Sequence, residues 1–156
     1  MHYKIVELSF IQRRVSTTNE IPTSTIEGLA DEYGCELIHI LSDREKEMFM
    51  NYYNKYGNGI LFDAKNKTAN VTPALKWFQG RFENLQDMIG NMKLEDFCKI
   101  QYAQTIQDMT GRKFDTLIYT LDYDELISLD DFIRLRHNYG DEGKILYVGR
   151  IFDYHI

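Results

Sequence analysis

Apolar residues between Thr72 and Gly111 recur at helical spacing. Leu75, Phe78, Phe82, Leu85 and Ile89 follow one another at intervals of three, four, three and four, which places all five on one helical face. Thr72 suits the cap and Pro73 the first helical position, where a fixed φ fits and a missing N–H costs nothing. Gly90 predicts a left-handed stop. Asn91 can cap a second helix whose apolar face is Leu94, Phe97, Cys98, Tyr102, Ile106 and Met109, with Gly111 as its stop. A linker this short implies an antiparallel αα-hairpin over 72–111, packed through Phe78 and Phe82.

Elsewhere the pattern alternates between strand and helix. Lys4 to Phe10 reads as a strand, and Cys35 to Leu41 as a second strand buried on both faces, with His39 a core histidine. Gly59 to Asp63 is a short third. Between them, Ser24 with Glu27 and Ser42 with Glu45 form capping boxes that open helices stopped at Gly34 and Gly57. Phe114 to Leu121 predicts a fourth strand. Ser128 with Asp131 opens a helix closed near Gly140, and Lys144 to Tyr154 is a last strand kinked at Gly149. The expectation is a single α/β domain over 1–156: about five strands in a mostly parallel or mixed sheet, packed helices, and the central hairpin.

With 156 residues the chain can bury a sizeable core. Its two cysteines, Cys35 and Cys98, lie far apart in predicted core elements, which suggests a reduced compartment. No apolar run reaches the length of a membrane span and no leader pattern opens the chain, so a cytoplasmic protein is expected, with no membrane partner. Charge changes the picture further. Between Asp115 and Gly143 eight acids face only Arg134 and Arg136, and this window carries the whole net charge of −6.

Interleaved tyrosines make that window the leading candidate for contact with a basic protein partner. Its residues are Asp122, Tyr123, Asp124, Glu125, Asp130, Asp131, Tyr139, Asp141 and Glu142. A calcium loop is disfavoured, because Asp122, Asp124 and Asp130 lack the glycine and terminal bidentate glutamate of an EF-hand. The functional expectation is an acidic interaction module, of the inhibitor or immunity and anti-defence type. An acidic chain with scattered Lys and Arg disfavours nucleic acid.

The polar stretch after the first strand offers a weaker anion site at Arg13, Arg14, Ser16 and Thr17, beside a helix start. It contains no glycine, so a Walker or dinucleotide loop is excluded. Asp63-Ala64-Lys65 after a short strand resembles the second half of the PD-(D/E)xK nuclease motif, in which acids hold a divalent metal and the lysine positions water. Asn51 to Gly59 supplies no second acid, and one carboxylate binds magnesium poorly. No catalytic residue, cofactor or metal is therefore expected. An enzyme acting on a phosphate or nucleotide substrate at the strand ends is the alternative reading, and a homo-oligomer built on exposed tyrosines the third.

Overall fold

The computed structural model describes residues 2–16, 22–56, 59–110, 116–140 and 143–155, apart from the side chains of residues 2, 16, 38 and 74. In chain order the elements are β1 (His2–Ser9), α1 (Gln12–Ser16), α2 (Thr23–Glu32), β2 (Glu36–Ile40), α3 (Asp43–Tyr56), β3 (Leu61–Asp63), β4 (Thr68–Asn70), α4 (Thr72–Asn91), α5 (Leu94–Phe97), α6 (Ile100–Thr110), β5 (Leu117–Thr120), β6 (Glu125–Ser128), α7 (Leu129–Asn138) and β7 (Leu146–His155). The α/β class holds. The described strands number seven, where about five were expected.

The sheet is mixed, not mostly parallel. β7 is central: it pairs antiparallel with β1 on one side and with β2 and β4 on the other. Among the described strands only β1 and β5 run parallel. The two additional strands belong to tight hairpins, β3–β4 and β5–β6. Their turns contain Lys67 and Asp124 at positive φ, where glycine is usual. Without a glycine as signal, neither hairpin stands out in the sequence.

Helices cover both faces. On one, Val6, Leu8, Ile118, Val148 and Ile151 pack with Met50 of α3 and with Leu129, Phe132 and Ile133 of α7, and Leu75 and Phe78 of α4 lean on this layer. On the other, Ile5, Leu117, Tyr119, Phe152 and Tyr154 pack with Ile26 and Ala30 of α2. The expected capping boxes form at α3, where Glu45 reaches back to the Ser42 N–H at 2.7 Å, and in part at α7, where the Asp131 N–H donates to Ser128 Oγ at 3.1 Å. α2 departs from expectation. It starts at Thr23 after Pro22 and has no side-chain cap, so Ser24 does not open it.

Two bulges re-aim side chains. Between Val6 and Leu8 of β1, β7 inserts one extra residue at Gly149–Arg150, where the sequence predicted a kink. A second extra residue sits in β2 between Leu37 and His39. It turns His39 to a partly exposed position facing Asp153 and Glu45, so His39 is not the core histidine expected. β2 itself is an edge strand with Ile40 exposed, not a strand buried on both faces.

The region 72–111 also differs from a two-helix hairpin. α4 runs through Gly90 to Asn91, and the chain turns at Met92 and Lys93 into α5 and then α6. Phe78 is half-buried as expected, but Phe82 is 59% exposed. α5 and α6 bury no side chain fully, and Cys98 is exposed while Cys35 is buried. The stripe is wider than the neighbouring layer can cover, so helical periodicity marks the face correctly but not its full burial.

Candidate functional site

The parallel strands β1 and β5 end side by side, and two segments singled out in the sequence meet there. Asp122 follows β5 and accepts hydrogen bonds from Ser9 Oγ and the Phe10 N–H, both at 2.8 Å. Arg14 of α1 donates to the Leu121 carbonyl at 2.7 Å and lies 3.9 Å from Asp122. Asp122 thus ties the start of the β1–α1 connection to the β5–β6 turn. Arg14 is engaged in that tie and is not poised for an external anion. Arg13 is exposed. Ser16 ends α1 with its side chain outside the described set, and Thr17 lies outside the described residues. The helix start on which the anion reading relies is that of α2 at Thr23, and residues 17–21 leading to it lie outside the described residues.

Next to this tie lies a buried charge network. The bulge at Gly149 brings Arg150 onto Glu7. Its Nη2 donates to Oε1 at 2.7 Å, Nε to the same oxygen at 3.0 Å, and its backbone N–H to Oε2 at 2.6 Å. Glu7 is fully buried and stands opposite Tyr119 in the register. The Tyr119 hydroxyl donates to Asp124 across the turn. Burial, then the hydrogen bond to Asp124, pushes the Tyr119 phenol well above its ordinary value.

The remaining acids of the 115–143 window divide sharply. Asp130 is fully buried and cannot touch a partner. Asp131 accepts from Ser128 Oγ at 2.7 Å and from Arg134 at 3.1 Å, serving the start of α7. Asp124 and Glu125 are exposed at the β5–β6 turn. Asp141 and Glu142 lie outside the described residues. The expected convergence of acids into one surface therefore fails for Asp122 and Asp130, whose carboxylates serve the interior. The two tyrosines do converge.

Arg136, buried in α7, has four aromatic rings around its guanidinium carbon: Phe10 at 4.7 Å, Phe132 at 5.1 Å, Tyr139 at 5.6 Å and Tyr123 at 5.7 Å. Tyr123 is 59% and Tyr139 68% exposed. Lys144 Nζ also lies over the Phe10 ring, 5.8 Å from its centre. Ile11, next to Phe10 in the chain, and Ile145, next to Lys144, are both exposed. An apolar and aromatic patch with Asp124 and Glu125 at its edge thus occupies the carboxyl end of the parallel strands. Known proteins give no parallel for it. The chain matches no protein-family model, and no curated protein or solved structure is significantly similar to it. The patch must be read from its own chemistry.

A second concave site lies between the sheet and α3. It encloses about 490 Å³ and is lined by Lys4, His39, Glu45, Asp153, Phe49 and Tyr52 among others. Lys4 Nζ lies 2.6 Å from Asp153, while the two His39 nitrogens lie 3.5 Å from Glu45 and 3.9 Å from Asp153. Hydrogen bonds from Ser42, side chain first and backbone second, hold the Glu45 carboxyl below its usual range, and the nearby His39 adds to them. The β2 bulge creates this site, so strand alternation alone points His39 the wrong way.

Asp63 is an exposed turn cap. It accepts from the Asn66 backbone at 3.0 Å and side chain at 2.7 Å, and the backbone bond is the main cause of its lowered pKa. Among the described residues no group of three or more His, Cys, Asp or Glu is arranged to hold a metal ion. No described helix is long and apolar enough to cross a membrane.

Proposed function

We propose that this protein is an interaction module that docks a basic protein partner at the carboxyl end of β1 and β5. The observation that carries this reading is the aromatic group around Arg136, with Tyr123 and Tyr139 turned outward. Tyrosine and arginine supply most of the energy at protein interfaces, because they offer large rigid contact area beside hydrogen-bonding groups. A guanidinium stacked between rings also fixes them before contact, which lowers the ordering cost of binding. Asp124 and Glu125 at the edge would steer a positively charged partner and speed its approach, with the tyrosines setting how long it stays. Asp122, Asp130 and Asp131 hold the surface in shape without touching the partner. Such a module acts by occupying its partner, as an inhibitor or immunity-type protein does.

Affinity capture from cells that make the protein tests this. The wild type is expected to retain a basic protein that a Tyr123→Ala/Tyr139→Ala variant loses, and Glu125→Gln to slow its association at low salt. Retention of the same proteins by wild type and variant would defeat the proposal.

One observation supports a second reading, a small-ligand or enzymatic site at the His39 pocket. There an imidazole between two carboxylates meets an aromatic wall, an arrangement suited to acid–base work on a small substrate. A thermal-shift screen in which no small molecule stabilises wild type more than His39→Ala would set this reading aside.

A further inference from the structure

Among the described strands β3, β6 and β2 form the edges of the sheet. An edge strand offers unpaired N–H and carbonyl groups to any extended chain. Side chains close two of these edges. At β3 the Asn54 carboxamide stands in for a strand: its Nδ2 donates to the Phe62 carbonyl and its Oδ1 accepts from the Phe62 N–H, both at 2.7 Å. At β6 the Tyr33 hydroxyl donates to the Leu126 carbonyl at 3.0 Å. β2 differs. The Leu41 N–H donates to the Ile151 carbonyl of β7 at 2.8 Å, so alternation turns the Ile40 N–H and carbonyl away from β7, to the outer edge. Among the described residues no further strand and no side-chain hydrogen bond meets them there.

We infer that β2 accepts an extended, basic segment of another protein as an added strand, with a Lys or Arg of that segment seated beside Glu45. This goes beyond docking at the carboxyl end of β1 and β5, because β2 lies beside the amino half of β1, across β7. Charge names the occupant. Lys4, Asp153 and His39 form one row across β1, β7 and β2, since Asp153 is the register partner of both others. Lys4 Nζ lies 2.6 Å from Asp153, and His39 Nδ1 3.9 Å from it. The next residue in that row belongs to the added strand, with its Cβ about 5 Å from that of His39. Glu45 of α3 is within reach of it, with Oε1 3.5 Å from His39 and Oε2 held by Ser42. Phe49 and Tyr52 line the same groove and suit the alkyl stem of a basic side chain. The nearby lysines are already taken, Lys4 by Asp153 and both Lys46 and Lys67 by Asp43. From Asp31 to Glu47 six acids stand against Arg44 and Lys46, so the approach favours a cation. The neighbour of the basic residue comes beside the exposed Ile40, on the opposite face, and is apolar. β2 itself contains no Lys or Arg, so the β2 of a second copy does not supply the cation.

Fluorescence polarisation of a short labelled peptide of alternating Lys and Val, titrated with the intact chain, is the test. The wild type is expected to bind this peptide and not its Glu and Val counterpart. Methylating one alternate set of the peptide's backbone amides should abolish binding, and methylating the other set should not, because an added strand bonds through one edge only. Glu45→Gln should weaken binding about threefold to fivefold, the scale of a half-exposed ion pair, and flatten its salt dependence. Ile40→Pro removes the outward N–H without removing a bond to β7, and should abolish binding with circular dichroism unchanged. Tyr123→Ala/Tyr139→Ala should bind the peptide as the wild type does, which separates this edge from the other surface. A wild type that ignores the Lys and Val peptide at about 1 mM would overturn the proposal. Equal binding of both methylated peptides would overturn it too, since charge alone would then account for the contact. So would a dimer in sedimentation that the peptide does not disperse, which gives the edge to a second copy.

Discussion

The strands β1, β5 and β7 and the helical segment α4–α6 use apolar residues in opposite ways. In the strands Ile5, Val6, Leu8, Ile118, Ile151 and Phe152 are closed off from water on both faces of one sheet. In the segment Phe82, Ile89, Leu94 and Phe97 follow helical periodicity, yet all are exposed, as is Ile100. The polar groups are also reversed. The strands enclose Glu7 and Arg150, while the segment keeps most of its charges in water. A layer that can enclose a charge pair must already be held by neighbours on every side. A segment that leaves phenylalanines uncovered is held by few, and its apolar surface is available for contact. The comparison places the rigid, enclosed part of the molecule in one region and much of its uncovered apolar surface in the other.

The largest expected effect tests the enclosed side. Glu7→Ala leaves the Arg150 guanidinium in a buried site without its carboxylate, and should destabilise the fold by about 3–5 kcal/mol. Replacing both residues by apolar ones of similar volume should recover much of that loss. Urea unfolding of the single and double variants measures both. Equal losses would mean that the packing of Glu7, not its charge, is what matters.

Tyr119→Phe should have a smaller effect, about 1 kcal/mol from the lost hydrogen bond to Asp124, and a distinctive dependence on pH. The folded phenol holds its proton more tightly than the unfolded one, whose ordinary value is 10.0. Its contribution is complete below that pH and is lost as pH rises toward the folded value. Wild-type stability should therefore fall above about pH 10 more steeply than that of Tyr119→Phe. Parallel curves through that range would count against the buried phenol.

The smallest effect is expected at Phe82. In the single chain Phe82→Ala should change stability by less than about 0.5 kcal/mol, as exposed positions usually do. Helical periodicity alone predicts a core-sized loss of about 3–5 kcal/mol. Urea unfolding of the wild type and Phe82→Ala separates the two.

These contrasts show what a sequence pattern carries. Periodicity marks which face of α4 is apolar, and the caps at Ser42 and Ser128 sit where Ser with an acid three residues on places them. Those signals are local. The hairpin turns at Lys67 and Asp124 lack glycine and stay hidden. The β2 bulge that turns His39 outward depends on pairing with β7, more than a hundred residues away. At the candidate surface the sequence singles out Tyr123 and Tyr139, and both are exposed, but it marks Arg136, which gathers them, only as a charge. The roles of Asp122 and Asp130 depend on groups that the fold brings to them, and charge counting has no access to those.

The central place of β7 bears on how the chain assembles. A ribosome makes residues 146–155 after β1, β2, β4 and β5 have emerged. Until then β1 has one open edge, β2 has no strand to join, and the β3–β4 hairpin has no sheet to join. His2 must find His155 across nearly the whole sequence, and such distant pairing is slow because the loop is closed before any contact rewards it. The waiting strands are apolar, and open strand edges of this kind invite association between unfinished chains. Synthesis rate and chaperone supply should therefore govern the yield of folded protein more strongly than the stability of the finished sheet.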